Sequence, residues 1–226
     1  MLAIVGSGEY LPQMNVVDRQ LIDLFDSSPR VVCLPTAAGG EGDAMIDSWA
    51  QRGADHFADL GVEAEPVRVW DRASANNPAL AERIAIADFV YLSGGNPAYL
   101  HRTLQSTLAW NAILGVIGRG GLLAGCSAGA MIQGEAFKGL PRPHDGFGLW
   151  PGIYIIPHFD EIPVAIISAM RVAIGRERTL VGVNGDSALV NRDGVYQVLG
   201  DEVTVWTSTH KTRYRAGGVP ASALVS

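Results

Sequence analysis

Ser127 lies between two glycines in LLAGCSAGAMIQGE (122–135), where an apolar run passes through Gly-Cys-Ser-Ala-Gly into helix-forming residues. Residues 125–129 have the G-x-S-x-G pattern of a nucleophile elbow. In such an elbow a serine on a tight strand-to-helix turn takes a strained backbone conformation that lifts its hydroxyl out of the sheet. Gly125, Ala128 and Gly129 are small enough for neighbouring backbone to pass close by. The N–H of Ala128 would fall in the first helical turn, where unsatisfied donors and the helix dipole favour a developing oxyanion. The chemistry that suits this pattern is acyl transfer through a serine. Small residues also serve simply to tighten a turn, so the five letters are a weak signal until their setting, after GGLLA and before AGAMIQ, is added.

A serine nucleophile needs a base. Of the five histidines, His158 in IIPHFDE follows a strand-like run at the sheet edge where the elbow is expected, beside Pro157, which stiffens its position. His56 and His101 fall on amphipathic stretches, where a structural role is the default, and His210 lies near the C-terminal strands. Position favours His158, with His144 in LPRPHDG as its competitor. Cys126 precedes the elbow serine and by strand alternation points into the sheet, so thiol chemistry is not expected. No pair of histidines or carboxylates has metal-ligand spacing, and GSGEYL lacks the full G-x-G-x-x-G fingerprint. Neither a metal nor another cofactor is expected.

These residues must be positioned by strands and helices. Short apolar, β-branched runs with turn residues after them occur at 2–8, 30–40, 62–70, 89–95 and 120–127. Their lack of polar alternation predicts strands covered on both faces, as in a largely parallel sheet. Between them, 16–28, 43–61 and 98–120 space apolar residues at three and four and predict helices. This alternation predicts a doubly wound α/β sheet. Further on, 152–159 and 180–191 predict strands, 163–176 a helix, and 194–209 an antiparallel hairpin or meander. An exposed edge of that hairpin is where a second subunit would pair to make a homodimer.

With 226 residues, 48% hydrophobic and 18% charged, the chain has apolar material for one sizeable core and is expected to form a single domain over 1–226. A net charge of -6 and the lack of any basic run argue against a nucleic acid or an anionic membrane surface as partner. A small peptide or amide substrate fits better. Two cysteines are too few for a disulfide framework, and the apolar N-terminus lacks the charged region of a secretory signal. A cytoplasmic protein is expected.

Four segments, LSGGNPAYL (92–100), GCSAGAM (125–131), GLWPGIYIIPHF (148–159) and LVGVNGDSALV (180–190), in this order and spacing, resemble the serine peptidases of the dipeptidase E and cyanophycinase family. The likeness spans nearly the whole chain. It implies a three-layer, doubly wound, largely parallel sheet of the class I glutamine amidotransferase-like or flavodoxin-like kind, with a C-terminal antiparallel extension. It implies Ser127 as nucleophile, His158 as base, Gly94 and Gly95 as the turn that places a backbone N–H at the oxyanion, and Asn96 next to the substrate. The family's acid lies between serine and histidine. Aligned back from His158 it is Glu135, which is favoured; counted forward from Ser127 it is Asp145; and the amidotransferase relatives, with an acid two positions after the histidine, imply Asp160. Members act on N-terminal aspartyl peptides or β-aspartyl-arginine links. That implies a substrate carboxylate, which Lys138, Arg142 or Arg171 would meet, although each is also an ordinary surface cation.

The expectation is therefore a serine hydrolase cleaving a small peptide or isopeptide bond through a Ser-His-acid triad. The alternatives are an amidase or acyltransferase on a non-peptide substrate, and a non-catalytic binding protein on the same scaffold.

Overall fold

The computed structural model describes residues 1–139, 143–175 and 177–224. Strands β1 (Leu2–Val5), β2 (Val31–Leu34), β3 (Ala64–Pro66), β4 (Phe89–Leu92) and β5 (Leu122–Cys126) lie parallel in the spatial order β3-β2-β4-β5-β1. Except in β3, nearly every position is buried, because helices cover both faces. On one face Val5, Cys33, Phe89 and Tyr91 pack with Val17 and Leu21 of α1 (Asn15–Ile22) and Phe57 of α2 (Asp43–Asp59). Their strand neighbours Val32, Leu34, Val90, Leu92 and Leu123 face the opposite way. There they meet Ala75 of α3 (Arg72–Ala75), Ile84 of α4 (Pro78–Ala85), Leu100 of α5 (Pro97–Leu104) and Ile113 of α6 (Leu108–Gly118). Both sets are apolar, so the continuous runs of the sequence are the price of a sheet with no wet face. Phe57 is fully buried among Tyr10, Phe89 and Tyr91, and truncating such a ring to alanine costs about 3–5 kcal/mol.

The short helix α7 (Ala128–Met131) leads into β6 (Gly134–Phe137), β7 (His144–Asp145) and β8 (Trp150–Ile156). After α8 (Val164–Ala173) come β9 (Thr179–Val183), β10 (Ser187–Arg192), β11 (Val195–Trp206) and β12 (Lys211–Val219). Strands β6, β8 and β9 form a second parallel set, with β7 antiparallel on β6. The long strand β11 joins the two sets: residues 195–200 pair with β10, which pairs with β1, and residues 203–206 pair with β9. Among the described residues the result is one twelve-stranded mixed sheet with helices on its faces, the α/β architecture expected, with its antiparallel strands near the C-terminus.

Three details differ from expectation. The run 98–120 is two helices, because Ser106 takes φ +57° and Thr107 then caps α6 by accepting the Trp110 N–H at 3.3 Å. The run 180–191 is two strands, broken at Asn184-Gly185-Asp186 where Asp186 has φ +56°. Strand β11 offers no open edge for a second subunit, since β10 and β9 cover one side and β12 the other. Among the described residues no helix is long and apolar enough to cross a membrane.

Candidate active site

Strand β5 ends at Cys126, and the chain turns at Ser127 with φ +49° and ψ −106°. A serine holds that geometry only where its surroundings enforce it. Here the Ser127 N–H donates to Val5 O at 3.1 Å, and the Ser127 carbonyl accepts from the N–H groups of Ala130 and Met131 at 3.1 and 3.0 Å. The corner is too tight for side chains at its flanking positions: a Cβ on Gly125 would lie 2.2 Å from Gly129 O, and one on Gly129 would lie 2.6 Å from Leu92 O. The Ser127 side chain is half-buried at the mouth of the site, whereas the Cys126 thiol is fully buried and burial pushes its pKa well above the ordinary value. That leaves the hydroxyl, not the thiol, facing outward.

His158 follows β8 at the same edge of the sheet, and its Nε2 lies 3.1 Å from Ser127 Oγ. The four residues His158–Glu161 divide the labour of holding it. His158 has φ +51°, and its carbonyl accepts the Glu161 N–H at 3.0 Å, closing a tight turn. Phe159 is buried with its ring over Gly182, where even a Cβ would come within 2.3 Å of it. Asp160 accepts the Gly185 N–H at 2.7 Å and pins the turn to the β9–β10 loop. Glu161, brought back by the turn, places Oε2 3.2 Å from His158 Nδ1. His144 is exposed with its ring against Phe137, and His56, His101 and His210 have other partners: Asp18, the Phe147 ring and Thr209.

The carboxylate at the imidazole is thus none of the three considered from sequence. Glu135 does not reach His158: its Oε2 accepts the Gly152 N–H at 2.7 Å and its Oε1 pairs with Arg178 at 3.1 Å. Strand β6 runs parallel to β8 with Gly134 opposite Trp150, so Glu135 sits where β8 begins and His158 where it ends. At the strand rise these places are roughly 20 Å apart. Asp145 is exposed on β7 opposite Ala136, and Asp160 is committed to Gly185. The signal that would have found Glu161 is the HFDE stretch itself, since a tight turn at the histidine returns its fourth residue to the ring.

The anion-binding donors also differ in part. The Gly94 N–H donates to Glu9 Oε1 at 2.7 Å and is not free for a substrate. Among the described residues the N–H groups of Gly95 and Ala128 have no hydrogen-bond partner. Asn96 caps α5 by accepting the Tyr99 N–H at 2.9 Å and stands exposed beside Gly95. Lys138 shares a shallow groove with Gly95, Asn96 and Glu41. Arg171 is buried and donates to Gly175 O at 2.6 Å, which takes it out of the site; Arg142 lies outside the described residues. Acidic side chains crowd the His158 side. Asp186 is held above the usual carboxylate range by partial burial and then by Asp160, Asp201 and Glu161.

A serine on a strained strand-to-helix corner of a parallel sheet, with an imidazole at its hydroxyl, is the arrangement of an α/β protein built around a nucleophile elbow. Residues 1–199 match the model of peptidase family S51, and the chain belongs to that family. It is 33% identical to a peptidase from an acI-B1 Actinobacterium, whose solved structure superposes with a TM-score of 0.86 over 97% of this chain and 96% of that one. A putative peptidase E protein from Listeria monocytogenes EGD-e shares the fold at 19% identity and TM-score 0.63, covering 96% and 98% of the two chains. Cyanophycinases from Synechococcus elongatus and Thermosynechococcus vestitus are 28% identical over 162 residues, 65% of this chain and 50% of theirs. The chain therefore spans about half the length of the curated relatives it matches.

Proposed function

We propose that the protein is a serine peptidase that cleaves a short peptide or isopeptide bond through an acyl-enzyme. The observation that carries this reading is Ser127 Oγ at 3.1 Å from His158 Nε2, on a corner strained to φ +49°. Ser127 attacks the carbonyl carbon as its proton passes to Nε2. The tetrahedral oxyanion meets the N–H groups of Ala128 and Gly95. Collapse breaks the C–N bond, and the leaving amine takes the proton from His158. A water, deprotonated by the same imidazole, then attacks the acyl-enzyme and releases the acid and Ser127. Glu161 accepts the Nδ1–H, which keeps the Nε2 lone pair on the serine and steadies the imidazolium.

Family membership and likeness to proteins named as cyanophycinases and a peptidase support a peptide or isopeptide substrate. An aspartyl carboxylate would find Lys138 in the groove beside Gly95 and Asn96. Two free, buried thiols, Cys33 and Cys126, fit a cytoplasmic setting. The test is a fluorophosphonate probe followed by a dipeptide library that includes aspartyl and β-aspartyl members. Wild type should be labelled and should turn over at least one member, and Ser127→Ala should lose both, with turnover down at least about 10³-fold. Turnover that survives in Ser127→Ala rejects the mechanism. A wild type that takes no label and turns over no member favours a binding protein on this scaffold.

A further inference from the structure

The loop after β1 carries GSGEY, whose glutamate has no part in the chemistry above. Glu9 is only 8% exposed, yet the described residues place no lysine or arginine at its carboxylate. Instead its two oxygens go to two pieces of the site. Oε1 accepts the Gly94 N–H at 2.7 Å, and Oε2 takes the Cys126 thiol at 3.2 Å, one residue before the nucleophile. Both neighbours are donors, so the ionised carboxylate is the form they satisfy, and the N–H bond to it is charge-assisted. A buried carboxylate without a cation costs stability, and an apolar residue of the same volume would avoid that cost.

Gly94 packs against Glu9 and the elbow serine together. A Cβ there would lie 2.1 Å from Glu9 Oε1 and 3.2 Å from Ser127 Cβ. The turn is therefore packed closely against both the elbow and the carboxylate. With the Gly94 N–H directed inward to Glu9, the next donor along the turn, the N–H of exposed Gly95, has no partner among the described residues. Gly95 is set by a second contact, since it has φ +138° and a Cβ there would meet Ala37 O at 2.7 Å.

We propose that Glu9 is a positioning residue of the hydrolytic site: its carboxylate ties the Gly94–Gly95 turn to the serine elbow and so orients the Gly95 N–H toward the oxyanion. This rests on the reading of Ser127 as nucleophile. Glu9 acts through Gly94 and does not touch the substrate.

The test compares Glu9→Met, which keeps the volume but removes the acceptor, with Glu9→Gln, which keeps one oxygen for Gly94. An alkyl fluorophosphonate reports the oxyanion site, because its phosphonyl oxygen occupies the place of the substrate oxyanion. For Glu9→Met the labelling rate at saturating probe should fall about 10- to 100-fold, while the half-saturating probe concentration changes less than about two-fold. The unfolding midpoint in denaturant should stay close to that of wild type, since relief of the buried carboxylate offsets the Gly94 N–H left without an acceptor, and Glu9→Gln should recover most of the rate. A purely structural glutamate would instead lose rate and stability together. Labelling of Glu9→Met at the wild-type rate, a change in half-saturation alone, or a rate loss that merely follows the loss of folded protein would each overturn the proposal. The amide proton of Gly94 supplies a measurement independent of Ser127: in ¹⁵N-labelled protein it should move upfield and exchange faster in Glu9→Met. An unchanged Gly94 amide removes the tie itself, whereas a shifted amide in a protein whose Ser127 takes no label removes the oxyanion role along with the nucleophile reading.

Discussion

At the imidazole of His158 the partner is a carboxylate three residues later in the same turn, not one delivered from a distant strand. The distinction has a measurable consequence. Glu161 is 62% exposed, so water substitutes for it in part, and its loss should cost less than the loss of a fully buried triad acid. Glu161→Gln is expected to lower kcat about 10- to 100-fold, with KM little changed. Glu135→Gln should leave kcat within about two-fold and act on stability instead, because it weakens the ties to Gly152 and Arg178. Steady-state kinetics of the two variants side by side decide the matter, and a larger kcat loss in Glu135→Gln would reverse the assignment. The meeting of Ser127 with His158 was legible in the sequence because each stands out locally, one through small flanking residues and the other through its place after a strand. The carboxylate beside the imidazole was not, because several carboxylates follow the elbow and only the turn geometry selects among them.

At the scale of elements, helices α1 and α2 are joined to each other by more than apolar packing. Asp18 of α1 and His56 of α2 form a buried pair at 2.8 Å, with side chains 0% and 4% exposed. Burial holds the Asp18 pKa above its ordinary value, and the hydrogen bond from His56 opposes that shift. Removing one member leaves the other without a partner in a dry layer, so Asp18→Ala should cost about 3–5 kcal/mol of unfolding free energy. Replacing both residues by apolar ones of similar volume should recover most of it. Denaturant titration of the single and double variants measures this, and additive losses would show that the two side chains do not act as a pair. The amphipathic periods of both helices were plain from sequence. Their pairing was not, since the two residues are far apart along the chain and meet only once both helices lie on the same face of the sheet.

At the scale of the molecule, the mouth of the site is assembled from both halves of the sheet. Ser127 belongs to the β3-β2-β4-β5-β1 set, whereas His158 and Glu161 follow β8 in the other, and Asp186 lies in the loop between β9 and β10. Partial burial, and then the like charge of Asp160, Asp201 and Glu161 gathered where these loops converge, raise the Asp186 pKa. The sign of the effect follows from linkage. Between the ordinary aspartate value and the raised one, the folded protein holds a proton that the unfolded chain releases. Stability therefore falls as pH rises through that window and stays lower above it. Asp186→Asn, which tolerates the same positive φ, should raise the unfolding temperature slightly at pH 7 and lose this advantage below the ordinary aspartate range. Thermal melts of both proteins across acid pH test it, and an advantage that persists at low pH would show that ionisation of Asp186 is not its cause.

What the sequence by itself determined is what local pattern carries: apolar runs without polar alternation mark strands covered on both faces, periods of three and four mark the helices, and the glycines around Ser127 mark a corner with room for nothing larger. Tertiary structure alone decided which carboxylate meets His158, that Glu9 rather than a substrate receives the Gly94 N–H, and that β11 is paired on both sides. Each of these depends on the end of the sheet at which a residue emerges and on which strand lies beside it. Strand order and register are set by the packing of the whole chain, so neither can be read from any one stretch of it.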